Sequence, residues 1–249
     1  MTRHPLEVQI LGCGDAMGSG GRLQTCFSLR RGKQRVLVDC GATAMMAIRR
    51  FGIDPLEIDL ILISHLHGDH FGGLPFFLLD ARLVSRRQKP LVIAGPPGLE
   101  ARLWRVMETF YSGSTKARQR FEVRFEELVA DETLDLGLVQ VTAIEVVHQS
   151  GAPAYGLRVQ WDDRCFAYSG DTEWTEALLV IARQADLFIC ESAFFDRQIP
   201  NHMPYATLVQ RRADLECKHM LLTHLSQEML ERVGDLEIDC AEDGQVLRL

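Results

Sequence analysis

Apolar runs, broken at short intervals by polar and glycine-rich turns, divide the chain into short strands and helices. The run at 58–63 is continuous and rich in Ile, which is typical of a strand buried on both faces. The pattern predicts strands at 7–11, 25–30, 35–39, 58–63, 91–94, 121–125, 139–147, 155–161, 164–168, 187–190, 219–223, 236–239 and 246–249. It predicts helices at 42–51, within 74–87, and at 98–111, 175–184 and 205–216.

Strand-rich and mixed segments occur in two successive halves, and each half ends with alternating strands and helices. Helices that cover a large sheet core favour an α/β fold with αββα layers. Antiparallel meanders early in each half argue against a doubly wound nucleotide-binding fold. Gly12 and Gly14 follow the first strand, but Met17 stands where a dinucleotide-binding fingerprint needs its third glycine. Because there is no long linker or repeat, we expect residues 1–249 to form a single domain.

The charge balance and the cysteines restrict the partners and the compartment. Lys and Arg number 27 against 34 Asp and Glu, a net charge of −7, so long nucleic acid is a poor candidate partner. No apolar run reaches the ~18–20 residues of a membrane span, and residues 1–11 resemble a strand rather than a secretory signal. The seven cysteines are odd in number and widely spaced, which indicates reduced thiols in a cytoplasmic protein rather than disulfides or a zinc knuckle.

The strongest chemical signal is a cluster of metal-binding residue types directly after the apolar run at 58–63. His65, His67, Asp69 and His70 lie within six positions. His65 and His67 alternate and can point the same way, and the glycine that follows them lets the backbone turn tightly. Imidazole nitrogen and carboxylate oxygen are donors suited to zinc, and four such groups on one turn can serve two adjacent metals.

Three more candidates stand at predicted strand ends, as a site at the rim of a sheet requires: His148, Asp171 and His224. His202 differs from them because it precedes a helix and no strand leads into it. We therefore interpret His202 as a proton donor near the metals rather than as a ligand. His219 enters a strand beside a lysine, and we expect it to be solvated.

These motifs resemble those of the metallo-β-lactamase superfamily. The pattern His-X-His-X-Asp-His at 65–70, followed by His148, Asp171 and His224, carries the resemblance. Within the superfamily the chain is similar to the ribonuclease Z-like branch over nearly its whole length, through segments 11–14, 39–43, 72–75, 95–99, 169–172 and 223–226. The resemblance implies a metal-dependent hydrolase with a metallo-β-lactamase-like four-layer αββα sandwich, in which two mixed sheets are flanked by helices.

The resemblance also implies a role for each candidate residue. One metal would be held by His65, His67 and His148, and a second by Asp69, His70 and His224, with Asp171 bridging both. The resemblance further implies that His202, which precedes the last ligand by 22 residues, is the extra catalytic histidine of the branch. Such a histidine favours phosphodiester hydrolysis over lactam or thioester hydrolysis.

One departure from ribonuclease Z restricts the class of substrate that we expect. Ribonuclease Z carries a long arm that binds transfer RNA, inserted between its third histidine and its bridging aspartate. The corresponding residues here, His148 and Asp171, are 23 positions apart, and two predicted strands fill the interval. The compact form is similar to phosphodiesterases of the branch that act on small cyclic or nucleotide diesters. We therefore expect a small-molecule or short phosphodiester substrate.

We predict a phosphodiesterase with two divalent metal ions, Zn²⁺ or alternatively Mn²⁺. Asp69 would orient the attacking water, and His202 would donate a proton. A ribonuclease Z-like endoribonuclease for RNA 3′ ends stays open, as does a lactonase, thioesterase or arylsulfatase of the same superfamily. A diiron oxidoreductase is disfavoured because it usually carries a carboxylate at the position of His67. The sequence is compatible with a homodimer.

Overall fold

The computed structural model describes residues 4–116 and 120–249, so residues 1–3 of the predicted start lie outside the described ranges. Thirteen strands lie within these ranges: β1 Glu7–Gly12, β2 Cys26–Arg31, β3 Gln34–Val38, β4 Ile58–Leu62, β5 Leu91–Gly95, β6 Val123–Glu127, β7 Thr133–Asp135, β8 Gln140–Glu145, β9 Tyr155–Trp161, β10 Arg164–Tyr168, β11 Ala185–Glu191, β12 Cys217–Thr223 and β13 Val246–Arg248. The α-helices of the same ranges are α1 Ala44–Arg50, α2 Gly68–Phe71, α3 Leu74–Leu83, α4 Leu99–Phe110, α5 Ala177–Ala182, α6 Tyr205–Gln210 and α7 Gln227–Leu230.

Two mixed sheets are built from these strands. The seven-stranded sheet has the order β13-β1-β2-β3-β4-β5-β6, and the six-stranded sheet has the order β12-β11-β10-β9-β8-β7. Each sheet begins with antiparallel pairs and continues into parallel strands, β3 to β6 in the first and β10 to β12 in the second. Because parallel strands are joined by crossover connections that place helices on the sheet, each sheet receives helices on its outer face.

The two sheets face each other across an apolar core. Aromatic rings from both sheets meet there, and the ring centroid of Phe27 lies 5.1 Å from that of Tyr168 and 6.2 Å from that of Phe166. Helices α1, α3 and α4 cover the outside of the first sheet through residues such as Ile48. Helices α5, α6 and α7 cover the second through residues such as Leu178. The predicted αββα sandwich of two mixed sheets flanked by helices is confirmed.

Most predicted strands are present, and β9 and β10 have the predicted bounds. The strand predicted at 236–239 is wrong. Its neighbour Cys240 forms only an isolated bridge with Leu222 of β12, and Ile238 packs in the apolar cluster outside the second sheet. An alternating apolar pattern therefore arises here from packing against helices and not from a strand ladder.

Other predictions need smaller corrections. The helix predicted at 205–216 ends at Gln210, and a 3-10 turn at Arg212–Asp214 lets the chain enter β12. The pattern does not predict β7, a short strand of which only Leu134 is partly buried. All seven cysteines are free, and five are buried. No helix within the described part of the chain is long and apolar enough to cross a membrane.

Candidate active site

The candidate residues meet at one rim of the sandwich, at the ends of strands from both sheets. The segment 65–70 follows β4 of the seven-stranded sheet and runs into α2. His148, Asp171 and His224 follow β8, β10 and β12 of the six-stranded sheet. Because the sheets face each other, loops that leave these strand ends converge, as is common for active sites of layered α/β folds.

Backbone contacts hold the segment 65–70 in place. The amide of Cys40 donates a hydrogen bond to the His70 carbonyl at 2.6 Å, and the amide of Gly73 donates to the Cys40 carbonyl at 2.8 Å. A Cβ atom on Gly73 would stand only 2.2 Å from the carbonyl oxygen of Gly41. This close approach requires glycine, and it fixes α2 against the end of β3.

Three imidazoles form a first group. Nδ1 of His67 lies 3.0 Å from Nε2 of His148. The ring centroid of His65 lies 5.1 Å from that of His67 and 4.7 Å from that of His148. One nitrogen of each residue lies within 4.8 Å of the other two, which is a spacing from which all three can reach one ion.

Two carboxylates and two imidazoles form a second group, and all four side chains are buried. Oδ2 of Asp69 is 3.2 Å from Nε2 of both His70 and His224. Oδ2 of Asp171 is 3.3 Å from the same two nitrogen atoms. That oxygen is also 3.8 Å from Nε2 of His65 in the first group, so one oxygen of Asp171 lies between the two groups.

Several polar atoms of these groups are buried without a hydrogen-bond partner among the described residues: His65 Nε2, His70 Nε2 and Asp171 Oδ1. Each unpaired buried polar atom costs about 1–3 kcal/mol, so a cluster of them is typical of a cation site. Imidazole nitrogen and carboxylate oxygen around one point suit divalent cations, zinc among them. The residues present fit two metal ions.

Asp39 orients histidines of both groups. Its Oδ2 accepts hydrogen bonds from His70 Nδ1 at 2.6 Å and from Ser64 Oγ at 2.8 Å. Ser64 Oγ in turn accepts one from His65 Nδ1 at 3.0 Å. With Nδ1 as the donor, Nε2 of each ring is left for a metal ion. Burial raises the pKa of Asp39, and the charge and hydrogen bond of His70 partly offset the rise.

Asp39 and His224 share a left-handed backbone, with φ of 57° and 61°. Residues other than glycine adopt this conformation infrequently, and it is enriched at functional sites. Asp39 directly follows β3 and His224 directly follows β12, so each turn directs a side chain from a strand end into the rim. The His224 amide also donates to the carbonyl of Cys13 at 3.0 Å, which ties the two sheets together at the site.

His202 lies in a third cluster with Glu191 and His224. Its Nδ1 donates a hydrogen bond to Oε1 of Glu191, and its ring stacks on that of His224 with 5.7 Å between centroids. Glu191 is completely buried at the end of β11. Its other oxygen accepts hydrogen bonds from the amides of Thr172 at 2.9 Å and Met203 at 3.0 Å, so the carboxylate is held from two sides.

Glu191 determines the charge of His202. Burial lowers the pKa of His202, but the hydrogen bond to Glu191 and the charge of that carboxylate outweigh burial and raise the pKa overall. A raised pKa keeps more of the imidazole protonated near neutral pH, as a proton donor requires. Sequence reasoning missed Glu191 and Asp39. Their shared signal is an acid at the end of an apolar strand, and Asp39 also begins segment 39–43, one of the segments that carry the resemblance.

A cavity of about 130 Å³ opens over these residues. Buried metal-binding side chains form its inner end, and Met17, which is 85% exposed, stands at its mouth. The lining residues are Asp15, Ala16, Met17, His67, Asp69, Asp171, Ala193, Phe194, His202, His224 and Ser226. The cavity therefore places the clustered His and Asp side chains beside apolar residues such as Met17 and Phe194.

The structure brings together every residue predicted for the site. These residues are His65, His67, Asp69, His70, His148, Asp171, His202 and His224. His219 lies exposed on β12, as expected for a solvated side chain. Which of the clustered side chains bind metal, and which transfers the proton, stays a prediction.

Comparisons with known proteins identify the family. A protein-family model described as "Anti-Pycsar protein Apyc1" matches residues 6–246. The chain belongs to this family. The chain is 26% identical to the Ribonuclease Z of Treponema denticola. The alignment, gaps included, is 287 residues long and covers 96% of this chain and 93% of that protein.

Solved structures share the fold over nearly the whole chain. Human tRNase Z, short form, is 27% identical, with a TM-score of 0.78 over 97% of this chain and 98% of that chain. The metallo-beta-lactamase fold protein YhfI from Bacillus subtilis is 20% identical, with a TM-score of 0.77 over 98% of this chain and all of that chain. The expected metallo-β-lactamase-like fold is confirmed, and this Apyc1 family member is a metal-dependent hydrolase of the ribonuclease Z-like branch.

Proposed function

We propose that this protein is a dinuclear phosphodiesterase that hydrolyses a small or short phosphodiester. The observation that carries the proposal is the position of Asp171 Oδ2, 3.3 Å from His224 and 3.8 Å from His65, between two ligand groups. One ion would be held by His65, His67 and His148, and the other by Asp69, His70 and His224, with Asp171 shared. The all-nitrogen first group favours Zn²⁺, whereas the carboxylates of the second also suit Mn²⁺.

The proposed mechanism divides the work among side chains of the site. When bound, two divalent ions supply an activated water and offset the negative charge that develops at phosphorus. Asp69 lines the cavity and orients that water by accepting one of its hydrogen bonds. His202 donates the proton of its Nε2 atom to the leaving oxygen, while Glu191 holds Nδ1 and stabilises the charged imidazole.

Three features support a small or short substrate. The cavity over the site is only about 130 Å³. The interval between His148 and Asp171, all of which the structure describes, consists mainly of the β9–β10 hairpin, whose strands are part of the six-stranded sheet. A net charge of −7 also argues against a large surface for a nucleic-acid backbone.

Cleavage of RNA at the 3′ end is a second candidate function. It is favoured by the similarity to Ribonuclease Z over 93% of that protein. That alignment spans 287 residues and is longer than the 249-residue chain, so the relative contains residues without a counterpart here. The two candidates share their chemistry and differ in how much substrate is bound outside the cavity.

A substrate panel, run on purified protein of measured metal content, separates the candidates. The panel contains a nitrophenyl phosphodiester, an alkyl phosphodiester, a precursor transfer RNA, a lactone and a thioester. We expect two metal ions per chain and turnover of the small diesters. More efficient cleavage of the transfer RNA precursor would favour the second candidate, and lactone turnover without diester turnover would contradict both.

The role of His202 is tested with His202→Ala. This variant should keep both metal ions and lower kcat for the alkyl diester by roughly 10²–10⁴-fold, the usual effect of removing a general acid. The loss should be smaller for the nitrophenyl diester, whose leaving group departs without a proton. His219→Ala, on the exposed part of β12, is the matched control. Loss of metal would make His202 a ligand, and equal losses for both substrates would assign it to charge stabilisation.

We further propose one domain over residues 1–249, a homodimer and a cytoplasmic location. The core between the sheets draws on both halves of the chain, which supports a single domain. A groove of about 480 Å³ between α1 and α3 exposes Met46, Leu83 and Val84, and apolar patches of this kind mark interaction sites. Seven free cysteines support a reducing compartment. The mass in solution, measured by light scattering, tests the dimer.

A further inference from the structure

Three consecutive residues contact both parts of the proposed chemistry. The carbonyl oxygen of Asn201 accepts a hydrogen bond from Nδ1 of His148 at 2.9 Å. His202 donates from its Nδ1 to Glu191, and the amide of Met203 donates to the other oxygen of Glu191 at 3.0 Å. A shift of this segment would therefore displace a proposed metal ligand and the proposed proton donor together.

The segment has no regular secondary structure to hold it. It lies between β11 and α6, and Asn201 has a left-handed backbone with φ of 69°. Asparagine tolerates this conformation better than most residues, but such a residue stays in place only when its surroundings determine its position. The carbonyl of Asn201 has His148 as its partner, and the amide of the same residue has a partner of its own.

Glu173 holds that amide. Its Oε2 accepts a hydrogen bond from the Asn201 amide at 3.0 Å, and its own amide donates to the carbonyl of Val147 at 3.4 Å. The amide of Val147 in turn donates to Oγ1 of Thr172 at 3.1 Å. Glu173 is thus anchored beside the residue that precedes His148, and it connects that strand end to the segment that carries the proton donor.

The surroundings of Glu173 exclude simpler roles. It lines a cavity of about 300 Å³ together with Trp174, Ile199 and Pro200, and it is not among the residues that line the cavity over the metal centre. It also belongs to none of the three clusters of His and acidic side chains that could hold an ion within the described residues. Glu173 is therefore neither a ligand nor a residue in contact with the reacting atoms.

We infer that Glu173 is a positioning residue that acts through the backbone of Asn201. Its carboxylate holds the Asn201 amide, and the Asn201 carbonyl then orients His148 and the adjoining His202. A hydrogen bond to a charged acceptor is stronger than one between neutral groups, and a fixed Nδ1–H leaves Nε2 of His148 for a metal ion. The effect on His202 rests on the proposed function, whereas the effect on His148 is independent of the substrate.

The test compares Glu173→Ala, Glu173→Gln and Glu173→Asp in the full chain. Gln keeps an oxygen acceptor at the same reach, whereas Asp keeps the charge and withdraws the acceptor by one methylene. We expect Ala and Asp to weaken the binding of one of two Zn²⁺ ions by about 10–100-fold, measured against a chromophoric chelator, and Gln to retain most of the affinity. The control is Glu176→Ala, because Glu176 is exposed, carries the same charge and pairs with surface Arg211.

A second readout follows the proton donor. Turnover of the alkyl diester by Glu173→Ala and Glu173→Asp should fall about tenfold more than turnover of the nitrophenyl diester, because a displaced His202 matters most for a poor leaving group. A general loss of stability would lower both rates alike. Glu173→Gln should restore the ratio of the two rates, and Glu176→Ala should leave it unchanged.

Several results would overturn the inference. One is unchanged zinc affinity in Glu173→Ala, and another is a loss in Gln as large as that in Ala. Retention in Asp with loss in Gln would assign the effect to charge and not to the contact with Asn201. If Glu173→Ala does not fold, the comparison of Gln with Asp decides. If no phosphodiester is cleaved, the proposed function fails, but the zinc titration still decides the inference.

Discussion

The two ligand groups differ in chemistry although a single oxygen of Asp171 lies between them. The first group contains three imidazoles, and burial lowers the pKa of His65, His67 and His148. These rings are therefore neutral near physiological pH. Because a neutral imidazole can bind a metal ion without releasing a proton, the first group is a set of nitrogen donors ready for an ion.

The second group responds to burial differently because it contains carboxylates. Burial also disfavours the charged forms of His70 and His224, but the charges and hydrogen bonds of Asp171 and Asp39 outweigh it and raise the pKa of His70 well above its usual value. Asp171 and the hydrogen bond with Asp69 raise the pKa of His224 to about 9. The protons on His70 and His224 balance the charge of the acids in the metal-free protein. An entering metal ion must displace these protons. Adjacent groups that share a residue can thus respond differently to pH.

The largest effect is expected when the shared residue is removed. Asp171→Ala takes one carboxylate from both groups, so metal content should fall to one ion or none and hydrolysis should be abolished. Metal analysis and the diester assay measure the two outcomes. His67→Ala, which alters only the first group, should keep one ion. Two ions retained in Asp171→Ala would show that the carboxylate is not shared.

Removing Asp39 should affect both groups through their orientation. Asp39 is completely buried and bonds to His70 and Ser64, so Asp39→Ala leaves Nδ1 of the buried His70 ring without its acceptor and removes one of the acids that balance the charge of that ring. We expect the free energy of unfolding of the metal-free protein to fall by about 3–5 kcal/mol, as measured by urea denaturation. Asp39→Asn keeps the shape and should lose less. A loss in Asp39→Ala below about 1 kcal/mol, the size of one ordinary hydrogen bond, would contradict this role.

A smaller effect should distinguish the groups by pH. Below about pH 9 His224 is protonated in the metal-free protein, so zinc affinity of the second group should fall by about tenfold per pH unit for each proton displaced. The first group, whose pKa values are lowered, should hardly change down to about pH 6.5. Zinc titrations of the parent protein and of His67→Ala at several pH values measure both slopes. Equal slopes would remove the distinction.

The metal-binding cluster could be predicted from sequence because its signal is local. His65, His67, Asp69 and His70 are adjacent in sequence and follow an apolar strand. The β9–β10 hairpin was equally predictable, since its two strands are short and separated by a polar turn, with apolar residues that alternate along β9 and run consecutively in β10. In both cases the residues that determine the structure are neighbours along the chain.

The supporting residues could not be predicted because their partners are distant. Asp39 contacts His70, which lies 31 positions away, and Glu191 contacts His202 only after the loop behind β11 folds back. A single acid after an apolar run is also common wherever a strand simply reaches solvent, because acidic side chains are mostly exposed. The wrong prediction of a strand at 236–239 also comes from an ambiguous local pattern. Packing against a helix layer and pairing within a sheet can produce the same alternation of apolar and polar residues.

The left-handed turns at Asp39 and His224 bear on how this chain would respond to selection for heat resistance. Each such backbone costs ~1–2 kcal/mol relative to an ordinary one, and glycine would relieve the strain. At Asp39, however, loss of the carboxylate is expected to cost about 3–5 kcal/mol, which is more than glycine would return. At His224, glycine would remove one of the imidazoles that face the buried acids Asp69 and Asp171. A screen for thermal survival and a screen for turnover would therefore retain the same pair, in spite of its backbone strain.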